Sequence, residues 1–446
     1  MILKTGKGLL TAALAVTMLT ACSKAGNGSV SGTTESVKMD LTSPVTLTVA
    51  SGLGMSVEDF NKSYGDKIKA KFPNVTLNFI ARSQGTTIPE LVTAGIYPDI
   101  VFGIISDIDN YLINLNLHAD MAPLIKKHNY DLNRFEPILI DAIKTTNPEG
   151  NIIGLPMPYG GMQVMFYNKS IFDKFGVPYP KDGMTWDQTY ELAKQMTRVD
   201  GGDVYRGFGS FYGALLRDNQ LSVPYLDPKA DKMYDPEKWK VLFNNFSRFY
   251  QIQNNKRADG TSQTSEAEAF EKSQKVALNA NQFGRYAGFP AEMNWDMVTM
   301  PTFKEAPNTT GMIVGSSGYW YITKTNKNQD ISFKIIEFLL SDEMQIEEAK
   351  TKANMPSVRT IKDLDKIVGS ELPALKGKNI GALTKMKPAA VPPARAQGLV
   401  GANLNELKKI VETTMNKIII NNVDINTALR EAEEAMAKQV EAKKAQ

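Results

Sequence analysis

With 446 residues the chain is too long for one compact core, so two domains are expected. Apolar residues make up 42% and charged residues 22%, and 51 Lys and Arg against 48 Asp and Glu leave a net charge of +3, which carries no nucleic-acid signal. Two His and one Cys exclude a dense zinc site and a disulfide framework.

The first segment reads as an export signal. Lys4 and Lys7 make a positive start, and Leu9 to Leu19 is apolar apart from Thr11 and Thr17. That run is too short for a mature bilayer span. It ends in Leu19-Thr20-Ala21-Cys22, the pattern of a bacterial lipoprotein signal, in which residues 1–21 are removed and Cys22 carries lipid on its sulfur. An ordinary signal-peptidase site with an incidental Cys is the alternative. Residues 22–42 are rich in Ser, Gly, Thr and Lys and predict a flexible tether. No later stretch reaches membrane-spanning length, so the protein is expected on the outer face of the cytoplasmic membrane, held by acyl chains alone.

Val45, Leu47 and Val49 alternate with Thr46 and Thr48, which predicts a strand. Ser56, three residues before Asp59, opens a helix with Val57, Phe60, Tyr64 and Ile68 at helical spacing. Val75, Leu77 and Phe79 alternate again, a helix ends near Gly95, and Pro98 to Gly103 is a short buried strand. This order predicts a mostly parallel sheet, whose ligands bind beyond the carboxyl ends of its strands, here at Phe102 to Asp109. Leu117 to His128 and Phe135 to Ile143 read as further helices, and 147–151 as a tight turn.

The stretch from Gly154 to Met196 organises the rest. A Gly/Pro-rich passage, Gly154 to Gly161, precedes a strand, Met162 to Tyr167, and a helix opening at Asn168-Lys169. Thr185 stands three residues before Gln188, the spacing of a capping box, and a long helix follows with Tyr190, Ala193 and Met196 on one side. Trp239, Phe243, Phe246 and Tyr250 are spaced 4, 3 and 4, which predicts a helix packed on a core. Asp259 to Glu268 reads as polar and turn-rich, Lys275 to Asn279 as a strand, and Asn281 to Tyr286 as a polar and aromatic loop. A strand is expected at Trp295 to Met300, Tyr319-Trp320-Tyr321-Ile322 follows a glycine- and serine-rich stretch, and helices are expected at 329–340, 344–349 and 404–420. Asp424 caps a last helix carrying Leu429, Ala432, Met436 and Val440.

Sequence signatures of the common chemistries are missing: there is no GxGxxG, no phosphate-binding GK[ST] loop, no HExxH, no CxxC and no GxSxG. Asp107 with Asp109, or Glu292 with Asp296, could form the carboxylate pair of a glycosidase, but nothing fixes their separation. What remains is a binding surface. Phe102, Tyr159, Phe211, Tyr212, Phe283, Tyr286, Trp295, Tyr319 and Trp320 lie in or beside turn-rich loops. Rings of this kind stack on sugar faces while Asp, Asn, Gln and Arg hydrogen-bond the hydroxyls; core packing is the competing role for each.

Several of these stretches together resemble a known family. Gly154-Leu155-Pro156, Phe166-Tyr167-Asn168-Lys169, Phe172, Phe175-Gly176, Pro178 and Thr185-Trp186 are its most specific part, joined by Pro98-Asp99-Ile100, by Tyr321 to Lys324 with the helix after it, and by the last helix from Asp424. The chain is similar to the extracellular solute-binding proteins of ABC importers, in the carbohydrate-binding group that includes maltodextrin-binding proteins. The resemblance implies a two-lobe periplasmic-binding-protein-like α/β fold of type II, each lobe a mixed sheet flanked by helices. It implies lobe 1 at 43–154 plus 313–357 and lobe 2 at 155–312 plus 358–446. Carried over segment by segment, the ligand residues would be Phe102, Asp107, Tyr159, Phe211, Tyr212, Asn281, Gln282, Arg285, Trp295, Tyr319 and Trp320, with Asp107 the hydroxyl acceptor of lobe 1. The expected partners are a mono- or oligosaccharide and the permease subunits of an ABC transporter, with no cofactor, no metal, no nucleic acid and no catalysis. A monomer is the default. A binding protein for a non-sugar solute such as a peptide, and a two-lobe sensor or adhesin, are the alternatives.

Overall fold

The computed structural model describes residues 43–146, 149–257, 262–315, 317–396, 398–400 and 402–445. The signal segment 1–21, Cys22 and the tether to residue 42 lie outside the described residues. In chain order the strands are β1 (Val45–Ser51), β2 (Val75–Ile80), β3 (Ile100–Ile104), β4 (Leu155–Pro156), β5 (Gln163–Asn168), β6 (Arg198–Asp200), β7 (Asp203–Ser210), β8 (Val276–Gln282), β9 (Trp295–Thr299), β10 (Thr309–Thr310), β11 (Gly318–Ile322) and β12 (Lys387–Pro388). They form a five-stranded sheet in the order β2-β1-β3-β11-β4, a second in the order β6-β7-β8-β5-β9, and a small β10-β12 pair. Each large sheet is the centre of one lobe of an α/β protein.

In the first sheet β1 pairs in parallel with β2 and β3, as the alternating pattern and intervening helices require, while β11 enters antiparallel between β3 and β4. β11 comes from far along the chain and is covered on both faces. Trp320 and Ile322 pack with Leu47, Phe60 and Phe102, and Tyr319 and Tyr321 pack on the other side with Val101 and Leu112. A central strand with helices on both faces has no solvent side, so Tyr319 to Ile322 are all large and buried.

In the second sheet β7 runs parallel to β8, and β5 lies antiparallel between β8 and β9. Its helical cover starts from the capping box: Thr185 Oγ1 accepts from the Gln188 amide, and the Gln188 side chain accepts from the Thr185 amide at 2.9 Å. The cap fixes the start of the helix Trp186–Met196 and sets Trp186 edge-on to Phe246, 5.2 Å between ring centres. Trp186 is fully enclosed, and its indole N–H reaches Gln220 Oε1 at 2.9 Å, so no buried donor is left unpaired. The helix Pro236–Tyr250 buries Trp239, Phe243, Phe246 and Tyr250 in the same core, and the helices Leu404–Ile419 and Ile425–Lys444 complete it.

The chain passes between the sheets three times, at 157–162, at 311–315 and after Met355. The first and third passages lie side by side: the Tyr159 amide donates to Met355 O at 2.8 Å and the Met355 amide donates to Tyr159 O at 2.7 Å. Leu155 and Pro156, expected in lobe 2, pair with Trp320 and Tyr319 in the first sheet, and Val358 and Ile361 also pack in the core of that lobe.

Other local expectations differ in extent. Leu117 to His128 is helical only at Ala122–Lys127, because Asn116 takes a left-handed φ of 51° and His118 bridges to Thr323. In the segment read as polar and turn-rich, Ser262 caps a helix, Gln263–Ser273, accepting from the Ser265 amide at 3.0 Å; residues 258–261 lie outside the described residues, as do 147 and 148 of the expected turn. Asn281 and Gln282 end strand β8 rather than opening a loop.

Candidate functional site

Strands β1 and β3 stop at Ser51 and Ile104, and beyond their carboxyl ends lies a cavity of about 920 Å3 with walls from both lobes. On the lobe 1 side the chain leaves β3 through a tight turn, Ile105–Asp107, and a wide turn, Asp109–Ile113. Tyr111 folds back beneath this turn and its hydroxyl donates to Ile104 O at 2.8 Å. Gly103 is required by that packing, since a β-carbon there would stand 2.8 Å from the ring.

The same turn holds Asp107 and Asp109 at the cavity wall. Asp107 Oδ1 accepts from Asn110 Nδ2 at 2.5 Å and, across the gap, from Asn405 Nδ2 at 3.4 Å. Asn405 belongs to the helix Leu404–Ile419 of lobe 2, so this contact joins the two walls. Burial pushes the Asp109 carboxyl above the ordinary range and the Asp107 charge adds to it, with Lys443 of the last helix opposing.

On the lobe 2 side the helix Tyr212–Arg217 ends at an ion pair. Arg217 Nε donates to Asp218 Oδ1 at 3.0 Å and Nη2 donates to Oδ2 at 2.5 Å, a two-pronged grip. Asp218 is fully buried, which raises its carboxyl, and the Arg217 charge opposes the rise. Pro224, Tyr225 and Leu226 continue the wall. A strap without regular structure, Val391 to Arg395, closes it. Arg395 fastens the strap: it donates to Asp227 O at 2.8 Å, Val400 O at 3.1 Å and Asp231 Oδ1 at 2.5 Å.

Ile88, Pro89, Ile105, Val391, Pro392 and Leu404 supply aliphatic lining between these polar groups. An apolar pocket with a few fixed donors and acceptors suits capture of a polar organic molecule. Neither histidine lines it. Among the described residues no group of three or more His, Cys, Asp or Glu is placed to hold a metal ion, and no helix is long and apolar enough to cross a membrane.

Of the residues expected at the ligand, the structure places only Asp107 on this cavity. Phe102 and Trp320 pack against each other in the core of lobe 1, 4.7 Å between ring centres. Tyr319 is buried with its hydroxyl donating to Leu139 O at 2.7 Å. Tyr159 is buried in the passage between the lobes, where burial holds its phenol well above the ordinary range. Tyr212 is buried, bonded to Asn416 and Arg257. Phe211 sits half-buried at the start of the same helix. Asn281 bonds Asn279 at 3.0 Å inside the sheet, Gln282 is half-buried opposite Gln163, and Arg285 pairs with Glu271. Trp295 meets Phe166 edge-on at 5.5 Å and lies under Lys378. A ring beside a turn has one local pattern whether it points into a core or a cavity, and for Phe102, Trp295, Tyr319 and Trp320 the strand faces decide for the core.

The cavity residues that the sequence reading passed over are Arg82, Arg217, Asp218, Tyr225, Arg395, Asn405 and Lys408. Val223-Pro224-Tyr225 and Val391-Pro392-Pro393 are Pro-containing breaks of the kind that marks a turn.

A family model described as bacterial extracellular solute-binding protein matches residues 57–376. No curated protein sequence matches the chain at a significant level. Solved structures share the fold at low identity. A sugar transporter from Rhizobium etli in an open conformation has 20% identity and a TM-score of 0.66, over 88% of this chain and 98% of that one. An ABC substrate-binding protein from Listeria monocytogenes in complex with cycloalternan has 16% and 0.65, over 89% and 98%. The sugar-binding protein MalE from Xanthomonas citri has 17% and 0.65, over 90% and 98%.

Proposed function

Because this chain belongs to the bacterial extracellular solute-binding proteins, we propose that it captures a sugar or oligosaccharide between its two lobes and hands it to the permease of an ABC transporter. The observation that carries the reading is the cavity of about 920 Å3 walled by both lobes, with Asp107 on one side and Arg217, Asn405 and Lys408 on the other. That volume lies at the upper end of the ~300–1,000 Å3 usual for small-molecule sites, room for more than one sugar ring. Carboxylate and amide oxygens accept from hydroxyls, and Arg, Asn and Lys donate to them, so a polyhydroxylated neutral ligand satisfies both walls at once.

Capture needs no bond to break. A ligand that touches both walls binds the closed form better than the open form and shifts the population toward closure by that difference. The three passages between the lobes are where the backbone would bend. Lipid on Cys22 would keep the closed protein at the membrane surface, within reach of the permease.

Isothermal titration against a panel of neutral mono-, di- and trisaccharides tests the reading. At about 100 times Kd a bound sugar stabilises the folded state by ~2.7 kcal/mol, which a melting curve also registers. Heat and a raised Tm with at least one glycan are expected. No response to any glycan, with tight binding of a peptide or another solute, overturns the carbohydrate assignment.

A further inference from the structure

Of the aromatic side chains, only Tyr111 and Tyr225 line the cavity among the described residues. Tyr111 is buried beneath the turn after β3 and its hydroxyl is spent on Ile104 O. Tyr225 differs. The residue is partly exposed, yet its hydroxyl oxygen is wholly buried and has no hydrogen-bond partner. Tyr225 lines the cavity, and what it offers there is not its hydroxyl. One face of that ring lies parallel to Trp239, 7° between planes and 5.9 Å between centres, and Trp239 is fully enclosed. The ring is thus backed by a rigid partner, with its phenol end turned into the protein.

Arg217 stands beside it on the same wall. Its Nε and Nη2 are committed to Asp218, while Nη1 has no protein partner among the described residues. A flat apolar surface next to a fixed donor edge suits a pyranose, whose C–H face stacks on a ring and whose hydroxyl oxygens accept from a guanidinium. Resting on the carbohydrate reading above, we propose that Tyr225 is the stacking platform for a single pyranose ring and that Arg217 Nη1 donates to that ring's hydroxyl oxygens. The ligand is then held by one stacked ring against the lobe 2 wall, and Asp107 of lobe 1 closes on it from the opposite side.

The test uses the full chain and whichever neutral saccharide of the titration panel the wild type binds, from among glucose, maltose, cellobiose and mannobiose. Tyr225→Phe keeps the ring and is expected to bind within about twofold of wild type. Tyr225→Ala removes it and is expected to weaken binding about tenfold or more. Arg217→Lys keeps the charge but loses the fork; it is expected to lower the Tm, because buried Asp218 keeps one bond of two, and to weaken binding at temperatures where the variant is still folded. Equal losses in Tyr225→Phe and Tyr225→Ala would assign the contact to the hydroxyl and overturn the platform. So would an unchanged Kd in Tyr225→Ala. Either result leaves the carbohydrate reading standing, whereas silence of the wild type toward every saccharide overturns that reading and the platform with it.

Discussion

Gly315 lies against Asp218 so closely that a β-carbon at position 315 would stand 2.1 Å from Asp218 Oδ1 and 2.8 Å from Arg217 Nε. Gly315 is on the second passage between the lobes and the ion pair is on the cavity wall, so the two pack with no room for a side chain between them. Gly315→Ala forces the pair or the passage to shift. Overpacking of this kind costs about 1–3 kcal/mol. Urea denaturation should show the loss, and sugar titration should show weakened binding beyond what the lost stability explains.

Trp320 is a core residue by position, between Tyr64 at 5.2 Å and Phe102 at 4.7 Å. Trp320→Ala is expected to lower stability by about 3–5 kcal/mol. Trp320→Phe, which retains a ring, should leave sugar affinity unchanged. A folded Trp320→Phe protein that no longer binds would contradict this placement.

Asp107 is the cavity carboxylate reached from both lobes, by Asn110 and by Asn405. Asp107→Asn preserves its size and removes its charge. Hydrogen bonds to a charged group contribute about 1.5–3 kcal/mol, so the Kd for the bound sugar should rise roughly 10- to 100-fold. Titration calorimetry reads this directly, with the melting curve without sugar as the control for folding.

Asp182 sets an acid sensitivity away from the cavity. Burial alone would raise its carboxyl, but hydrogen bonds from Lys385, the Thr299 amide and Asn379 outweigh that and hold it below the ordinary range. These bonds tie the segment 379–385 to strand β9. With the folded value depressed, the unfolded chain takes up the proton first on acidification. The stability contribution is therefore present above the ordinary carboxylate range and is lost as pH falls through the lowered one. Asp182→Asn should be less stable than wild type near neutrality, by about 1–2 kcal/mol. The gap between their denaturation midpoints should narrow as pH falls from about 7 to about 3.

Thr185→Ala removes one half of the capping box and should lower stability by about 0.5–2 kcal/mol. Thr185→Ser, which keeps the hydroxyl, should recover most of it. Thermal melts of the two variants decide whether the cap or the Thr methyl group matters.

That cap shows what the sequence could express. Thr185 and Gln188 act within one turn of chain, so their spacing alone fixed where the helix begins, and Asp424 with Thr427 did the same for the last helix. The alternating apolar residues of β1 and β2 and the 4, 3, 4 spacing from Trp239 to Tyr250 were legible for the same reason. The site was not. Whether Trp320 faces a core or a cavity depends on Phe102 and Tyr64, which are remote in sequence, and whether Tyr225 is exposed depends on Trp239 lying behind it. The strap at 391–395 becomes a wall only because Arg395 finds Asp231 and the carbonyl of Asp227, contacts that no local spacing encodes.

Strand β11 sits between β3 and β4, although residues 318–322 follow the whole second sheet in the chain. During synthesis β3 therefore emerges with a bare edge and waits for its partner until every strand of the second sheet has been translated. An unpaired edge is a template for joining another chain. The order of synthesis thus makes the first sheet depend on residues that follow the second, and a chain stalled before residue 318 presents that edge unpaired.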